Sequence, residues 1–339
     1  MLLLRILASR LKAHTNVQRL FVPMAIGLSI QVSNLANNSR VSRYVDYVPE
    51  KKQDFEIRIF QYQNCPFCCK ARAYFDIKGL NYSIVEVNSL TKSQLKWNED
   101  YKKVPVILLK EKSTGHYHTI MDSSQIISIM ESKLRNPKLG FEDILSKYPM
   151  ESKTSEKSGK EIKIFPQRYE IIFNDPENES LKLMMNHEKE WRKWIDDTFV
   201  HVVSPNIYRS FSEALTTFEW FSKFGRWNQE FSFVERYSMV YVGALIMSIV
   251  SKRLIKEHHL SENVRSDLYR LVNDWMEEIE NVGEAFNGGR SPNLADISMY
   301  GIITAFEGTA AFEDMINNTK IGNWFESMKK QIKIQRIFD

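Results

Sequence analysis

Three cysteines, Cys65, Cys68 and Cys69, sit in the stretch NCPFCCK, and they are the full thiol complement of the 339-residue chain. Such a trio can serve as a metal clamp, a disulfide switch, or a nucleophile with bystanders. Because all three are local, no long-range disulfide framework staples the fold, and a reducing compartment fits best. The seven histidines are scattered and none joins a cysteine at zinc-finger spacing, so a closed four-ligand zinc site is disfavoured and no metal is expected. The choice then lies between redox exchange and nucleophilic chemistry, and local structure decides between them.

Residues 56–60, EIRIF, alternate polar and apolar as a half-buried strand does. Pro66 suits the first turn of a helix, where a missing N–H is no loss, and that helix should run on to Lys78 with Gly79 ending it. A thiol at this junction faces the positive end of a helix dipole and free N–H donors, which can bring its pKa from about 8.5 into the range of roughly 3.5 to 7.5. Cys65 occupies that end. Cys68, one turn in, is the natural resolving partner, and Cys69 should point away as a small buried apolar residue.

The elements around this junction read as strand, helix, a second strand over 82–87, a short helix over 91–98, a third strand over 104–109, a fourth over 117–120, and a helix from Asp122-Ser123 to about Leu134. With a CxxC at the first strand–helix turn, this βαβαββα order is a thioredoxin-like α/β arrangement. In such folds the peptide bond before the proline opening the third strand is cis, so Val104-Pro105 should present the backbone of Val104 to an extended cysteinyl peptide. Asp122 and Ser123 either cap their helix or hold the α-amino and α-carboxylate groups of a γ-glutamyl residue. Joined to CPFC and the Val-Pro strand, they point to glutathione.

The net charge of +4 comes from a leader. Residues 1–45 hold Arg5, Arg10, Lys12, Arg19, Arg40 and Arg43 and no acid, and setting those six aside leaves 40 basic against 42 acidic residues. The body therefore offers no electrostatic case for nucleic acid. Residues 1–50 read as a leader with a linker, either a targeting or membrane-surface segment or a short membrane anchor, which places the protein at a Golgi or mitochondrial membrane, or in the cytoplasm once the leader is lost. Residues 54–135 form the thioredoxin/glutaredoxin-like domain. Residues 136–186 form a connector, with a polar loop over 151–161 and a small hairpin from 162–165 and 169–173. Residues 187–339 form an all-helical domain, in which 239–250, MVYVGALIMSIV, reads as a buried core helix and Asn293 to Asp296 as a capping box.

YQNCPFCCKARAYFD, KVPVILL, DSSQIIS, WRKWIDDTFVHVVSPNIYR and SPNLADISMYGI together resemble the membrane-associated prostaglandin E synthase 2 family over roughly residues 55–335. The resemblance implies a glutathione-transferase-like helical half, homodimers, and thiol-dependent isomerisation of the lipid endoperoxide prostaglandin H2 to prostaglandin E2. It makes Cys65 the catalytic thiol with Tyr62 beside it, has Phe67 line the site, and has Val104, Asp122 and Ser123 hold glutathione, with Cys68 a bystander or regulator. It also implies that a glutathione–haem complex can bind. His201, Asn206, Tyr208 and Arg209 are read as tying a helix end at Pro205 rather than as catalytic. Two other functions fit the residues: a glutaredoxin-like thiol-disulfide oxidoreductase that needs Cys68, and a membrane-tethered haem- or lipid-binding protein.

Overall fold

The computed structural model describes residues 43–45, 53–99, 101–155, 159–172 and 179–332. The leader, for which a targeting or anchoring role is expected, lies outside them apart from the short strand β1 (Arg43–Val45).

A five-stranded mixed sheet forms the first half of the fold. Its strands are β1, β2 (Phe55–Gln61), β3 (Tyr82–Glu86), β4 (Val106–Glu111) and β5 (Tyr117–Met121), in the order β1-β3-β2-β4-β5. β2 and β3 run parallel, joined through α1 (Pro66–Ile77), while β4 and β5 pair antiparallel to their neighbours. α2 (Ser123–Arg135) follows β5 directly. The segment read as a linker thus contributes β1, an edge strand antiparallel to β3. The expected helix over 91–98 is only a 3₁₀ turn, Ser93–Leu95, because Asn88 ties down Leu90 and Thr91 with its side-chain oxygen and Lys92 takes a left-handed φ of 50°.

A short α3 (Phe141–Leu145) and a hairpin of β6 (Glu151–Thr154) with β7 (Glu161–Ile164) make up the connector. The hairpin lies one strand earlier than the sequence pattern placed it: the polar run 151–154 is itself a strand, and 169–172 is not. Tyr169 is instead drawn inward by a hydrogen bond from its hydroxyl to Asp196, 3.0 Å.

Helices complete the chain: α4 (Glu179–Trp194), a π-turn (Ile195–Phe199), α5 (Val200–Ile207), α6 (Phe211–Phe224), α7 (Trp227–Glu230), α8 (Phe233–Glu257), α9 (Val264–Val282), α10 (Leu294–Thr304), α11 (Ala310–Asn318) and α12 (Ile321–Gln331). Asn293 and Asp296 form the expected capping box at the start of α10. Pro205 does not end a helix but lies inside α5.

α10 presses directly on α1. A Cβ added at Gly301 would sit 2.4 Å from the Cα of Lys70, so only glycine permits this approach. α1 is therefore covered on nearly all sides, and residues 68–76 are buried throughout.

α8 departs from expectation. Met239, Val240 and Ala244 are buried, but Phe233, Val234, Tyr237, Tyr241, Val242, Leu245, Ile246 and Ile249 are exposed. The apolar run 239–250 has an inner face that packs on α6 and an outer face that is exposed among the described residues. α8 is the one helix among the described residues long and apolar enough to cross a membrane, by length and composition only.

Candidate active site

The strand register assembles the site. Val106 pairs with Phe60 at the end of β2 and with Met121 at the end of β5. The loop after β2 with Tyr62 and Cys65, the Val104-Pro105 bond and the Asp122-Ser123 turn therefore meet at one end of the sheet. The Val104–Pro105 bond is cis, as expected.

Cys65 caps α1 in an extended conformation, with Pro66 as the first helical residue. It is half-buried, whereas Cys68 is fully buried, and both thiols are free. The Cys65 pKa is lowered, chiefly by the Cys68 thiol donating to its sulfur. Burial opposes this; the N–H groups of Cys68 and Phe67 and the Arg72 charge assist. Cys68 is pushed well up by burial and by its partner's charge. The two thiols are thus pushed in opposite directions: when the pair gives up one proton, it leaves Cys65, and the S–H of Cys68 donates to the Cys65 sulfur.

Tyr62 accepts the Cys65 N–H at its backbone oxygen, 3.1 Å. Its phenol pKa is raised by burial and by the nearby Cys65, Cys68 and Glu86, so the hydroxyl keeps its proton. Beneath this loop lies a buried polar layer. Glu86 accepts from the Gln63 N–H at 2.6 Å and from Gln61 Nε2 at 3.0 Å, and Arg72 donates to Gln61 and to the Gln63 carbonyl, the latter at 2.7 Å. Cys69 belongs to this layer. Its S–H donates to the Gln63 carbonyl, 3.3 Å, and its sulfur accepts from Arg72, 3.1 Å, so it is buried as expected but polar in its contacts.

Asp122 has φ of 66° and its Oδ1 accepts from the N–H groups of Ser124 and Gln125, at 3.0 and 3.1 Å, so it caps α2. Ser123 is buried as the first helical residue. Lys70, fully buried in α1, donates to Ser124 Oγ at 2.9 Å and pairs with Asp196 at 2.5 Å, tying the two helix starts together. Its ammonium also lies 5.5 Å from the centre of the half-buried Phe67 ring. Asp196 further accepts from Ser124 at 2.6 Å and from Tyr169. Burial alone would raise its pKa, but the charge and hydrogen bond of Lys70 hold it below the ordinary carboxylate range. The π-turn carries Asp196, consistent with the frequent use of π-bulges at functional sites.

The glutaredoxin family model matches residues 57–113. A prostaglandin E synthase 2 from Danio rerio is 37% identical over 280 residues, covering 82% of this chain and 71% of that one. The chain belongs to the prostaglandin E synthase 2 family. The Mus musculus prostaglandin E synthase 2 is 33% identical over 314 residues, covering 91% of this chain and 79% of the relative. Among solved structures, an apo glutathione S-transferase III superposes with a TM-score of 0.44 at 12% identity, covering 83% of this chain and 98% of that one.

In this family member, Asn206 ties helices as expected: its side-chain amide donates to the carbonyls of Val202 and Val264, and its oxygen accepts from Arg265. Arg209 pairs with Glu213 at the surface. His201 stacks on His258 with ring centres 3.8 Å apart. Tyr208 is buried against Phe218, and its pKa is raised by burial and by the Cys65 charge, so the site feels this helix end. Sequence reasoning missed Lys70, Arg72 and Asp196. Lys70 and Arg72 carried one signal, cations inside a largely apolar helix. Asp196 lies 126 residues beyond its Lys70 partner.

Proposed function

We propose that the protein is an isomerase that converts prostaglandin H2 to prostaglandin E2 with Cys65 and Tyr62 as catalytic residues. The observation that supports this reading is the junction itself: a half-buried Cys65 at the start of α1, its pKa lowered by the Cys68 S–H, hydrogen-bonded through its N–H to Tyr62, whose phenol pKa is raised by burial. The Cys65 thiolate removes the proton from the ring carbon bearing one peroxide oxygen. The C–H electrons form the ketone, the O–O bond breaks, and the released oxygen takes the Tyr62 proton to become the alcohol. Proton return from the Cys65 thiol to the Tyr62 phenolate restores both groups. No electrons are gained or lost overall, so no resolving disulfide is needed.

Glutathione is the cofactor of this proposal. Its cysteinyl part lies along Val104 and Pro105, its γ-glutamyl end meets Asp122 and Ser123, and Phe67 and Cys68 line the side toward α1. The glutaredoxin match supports this use. A glutathione–haem complex is the second occupant proposed for the same end of the sheet. A Soret band that forms only when glutathione is present tests it. We divide the chain functionally as a thiol domain over 54–135, a connector over 136–186 and a helical domain from 187 onward, with the N-terminal segment serving membrane attachment.

Purified protein given prostaglandin H2 should yield prostaglandin E2 with no added reductant, while turnover of mixed glutathione disulfides stays low. Rapid disulfide turnover without prostaglandin E2 would replace this function with the oxidoreductase one.

The exposed face of α8 is where we place a second copy of the chain. Phe233, Tyr237 and Tyr241 form a ladder with ring centres 4.3 and 5.9 Å apart, continued by Leu245 and Ile249. A contiguous apolar face of this kind marks an interaction surface. Sedimentation should report twice the chain mass, and Leu245→Glu with Ile249→Glu should halve it. A wild-type monomer would refute the homodimer.

A further inference from the structure

We propose that Arg168, from the connector, is the carboxylate-binding residue for the α-amino-acid end of the tripeptide, an assignment that rests on the glutathione reading above. Its backbone is fixed: the Arg168 carbonyl accepts from Ser128 Oγ at 2.7 Å, and Ser128 Oγ itself accepts from buried Arg192 at 2.9 Å. The connector is thereby stapled to α2, and the Arg168 side chain extends back toward the helix start. There its guanidinium lies 3.5 Å from Asp122 Oδ2 and 3.3 Å from Asp197 Oδ1, over the Tyr169 ring at 4.8 Å.

Both ion contacts are long. Charged N–H···O bonds run at about 2.7–2.9 Å, and a guanidinium is built for bidentate pairing with a carboxylate. The fork of Arg168 is held in place but underused, and its side chain is 31% exposed, so an incoming ligand can reach it.

The charges around it select the ligand. Asp122 spends Oδ1 on the N–H groups of Ser124 and Gln125, which leaves Oδ2 facing Arg168. Asp197, half exposed, faces the same guanidinium. One cation between two carboxylates disfavours a simple anion. It suits a zwitterion, whose carboxylate docks on Arg168 while its ammonium compensates Asp122 and Asp197. The γ-glutamyl α-carbon carries that pair of groups. The connector thus contributes the specificity for an intact α-amino-acid terminus.

Calorimetry on the full chain tests this with S-methylglutathione, which cannot exchange with Cys65, and with the analogue in which 4-aminobutanoyl replaces the γ-glutamyl group and so lacks the α-carboxylate. Wild type should bind S-methylglutathione about tenfold more tightly than the analogue, the worth of one charged hydrogen-bonded contact. Arg168→Gln should erase that difference by weakening S-methylglutathione alone, and Arg168→Lys, which also guards against misfolding of the first variant, should keep part of it. A wild-type ratio in Arg168→Gln overturns the assignment and leaves the glutathione reading standing. Failure of wild type itself to bind S-methylglutathione removes both.

Discussion

Cys65→Ser lowers prostaglandin E2 formation by at least about a hundredfold, the usual worth of a positioned proton-transfer group, while Cys68→Ala displaces the pH profile and leaves the alkaline rate. The Cys68 S–H, donating to the Cys65 sulfur, is the largest cause of the lowering of the Cys65 pKa. Removing it raises the Cys65 pKa, so the thiolate fraction at neutral pH falls and the acid limb of the profile moves to higher pH. Well above the new pKa the thiolate is again fully formed and the rate recovers. A dithiol oxidoreductase behaves otherwise, since without Cys68 it has nothing to resolve the mixed disulfide and loses activity at every pH. Rate–pH curves of the three proteins, with thiolate absorbance followed in parallel, decide the matter. Superimposable curves for wild type and Cys68→Ala would rule out the donor role, and full activity in Cys65→Ser would rule out the mechanism.

Lys70→Met produces the largest loss of stability, about 3–5 kcal/mol, because it strands a buried carboxylate. Asp196 is surrounded by Lys70, Ser124 and Tyr169 and has little access to water. Asp196→Asn should also be costly, since it leaves the buried Lys70 ammonium uncompensated, and the double change Lys70→Met with Asp196→Leu should recover much of the loss. The pH dependence has a definite sign. The folded-state pKa of Asp196 lies below its ordinary value, so its contribution is present in full above about pH 4 and is lost as acid titrates the folded carboxylate below that point. Denaturant melts from neutral to acid pH should show the Lys70→Met deficit shrinking in acid. A deficit that stays constant down to the acid limit would refute an ionised pair.

Much of the thiol-bearing half was legible because its signals are local. The alternation in EIRIF, the proline after Cys65 and the aspartate before α2 each report on neighbours within a few residues, and those elements formed where expected. The π-turn did not announce itself, since WIDDTF keeps an ordinary helical pattern and only the tertiary pull of Lys70 on Asp196 selects the wider turn. The hairpin was misplaced because β6 is exposed on every residue and so has no apolar alternation to read. α8 misled in the other direction. Its composition is that of a core helix, but composition does not report how many neighbours a helix has, and its outer apolar face is exposed among the described residues. At the site itself, CPFC and the aspartate–serine turn could be found one by one. The cations beneath and beside them could not, because their partners lie as far as 126 residues away.

The contact of Gly301 with Lys70 bears on how the thiol half can be used. A segment that matches the glutaredoxin pattern invites excision as a portable module, yet here its central helix is completed from outside. The ammonium of Lys70 is neutralised from the π-turn, and its backbone is roofed by α10. Cut free at residue 135, the segment would bare an apolar helix flank and an uncompensated buried charge together. Evolutionary exchange of the helical half must therefore preserve a glycine at 301 and a carboxylate at 196, or else change the catalytic helix at the same time.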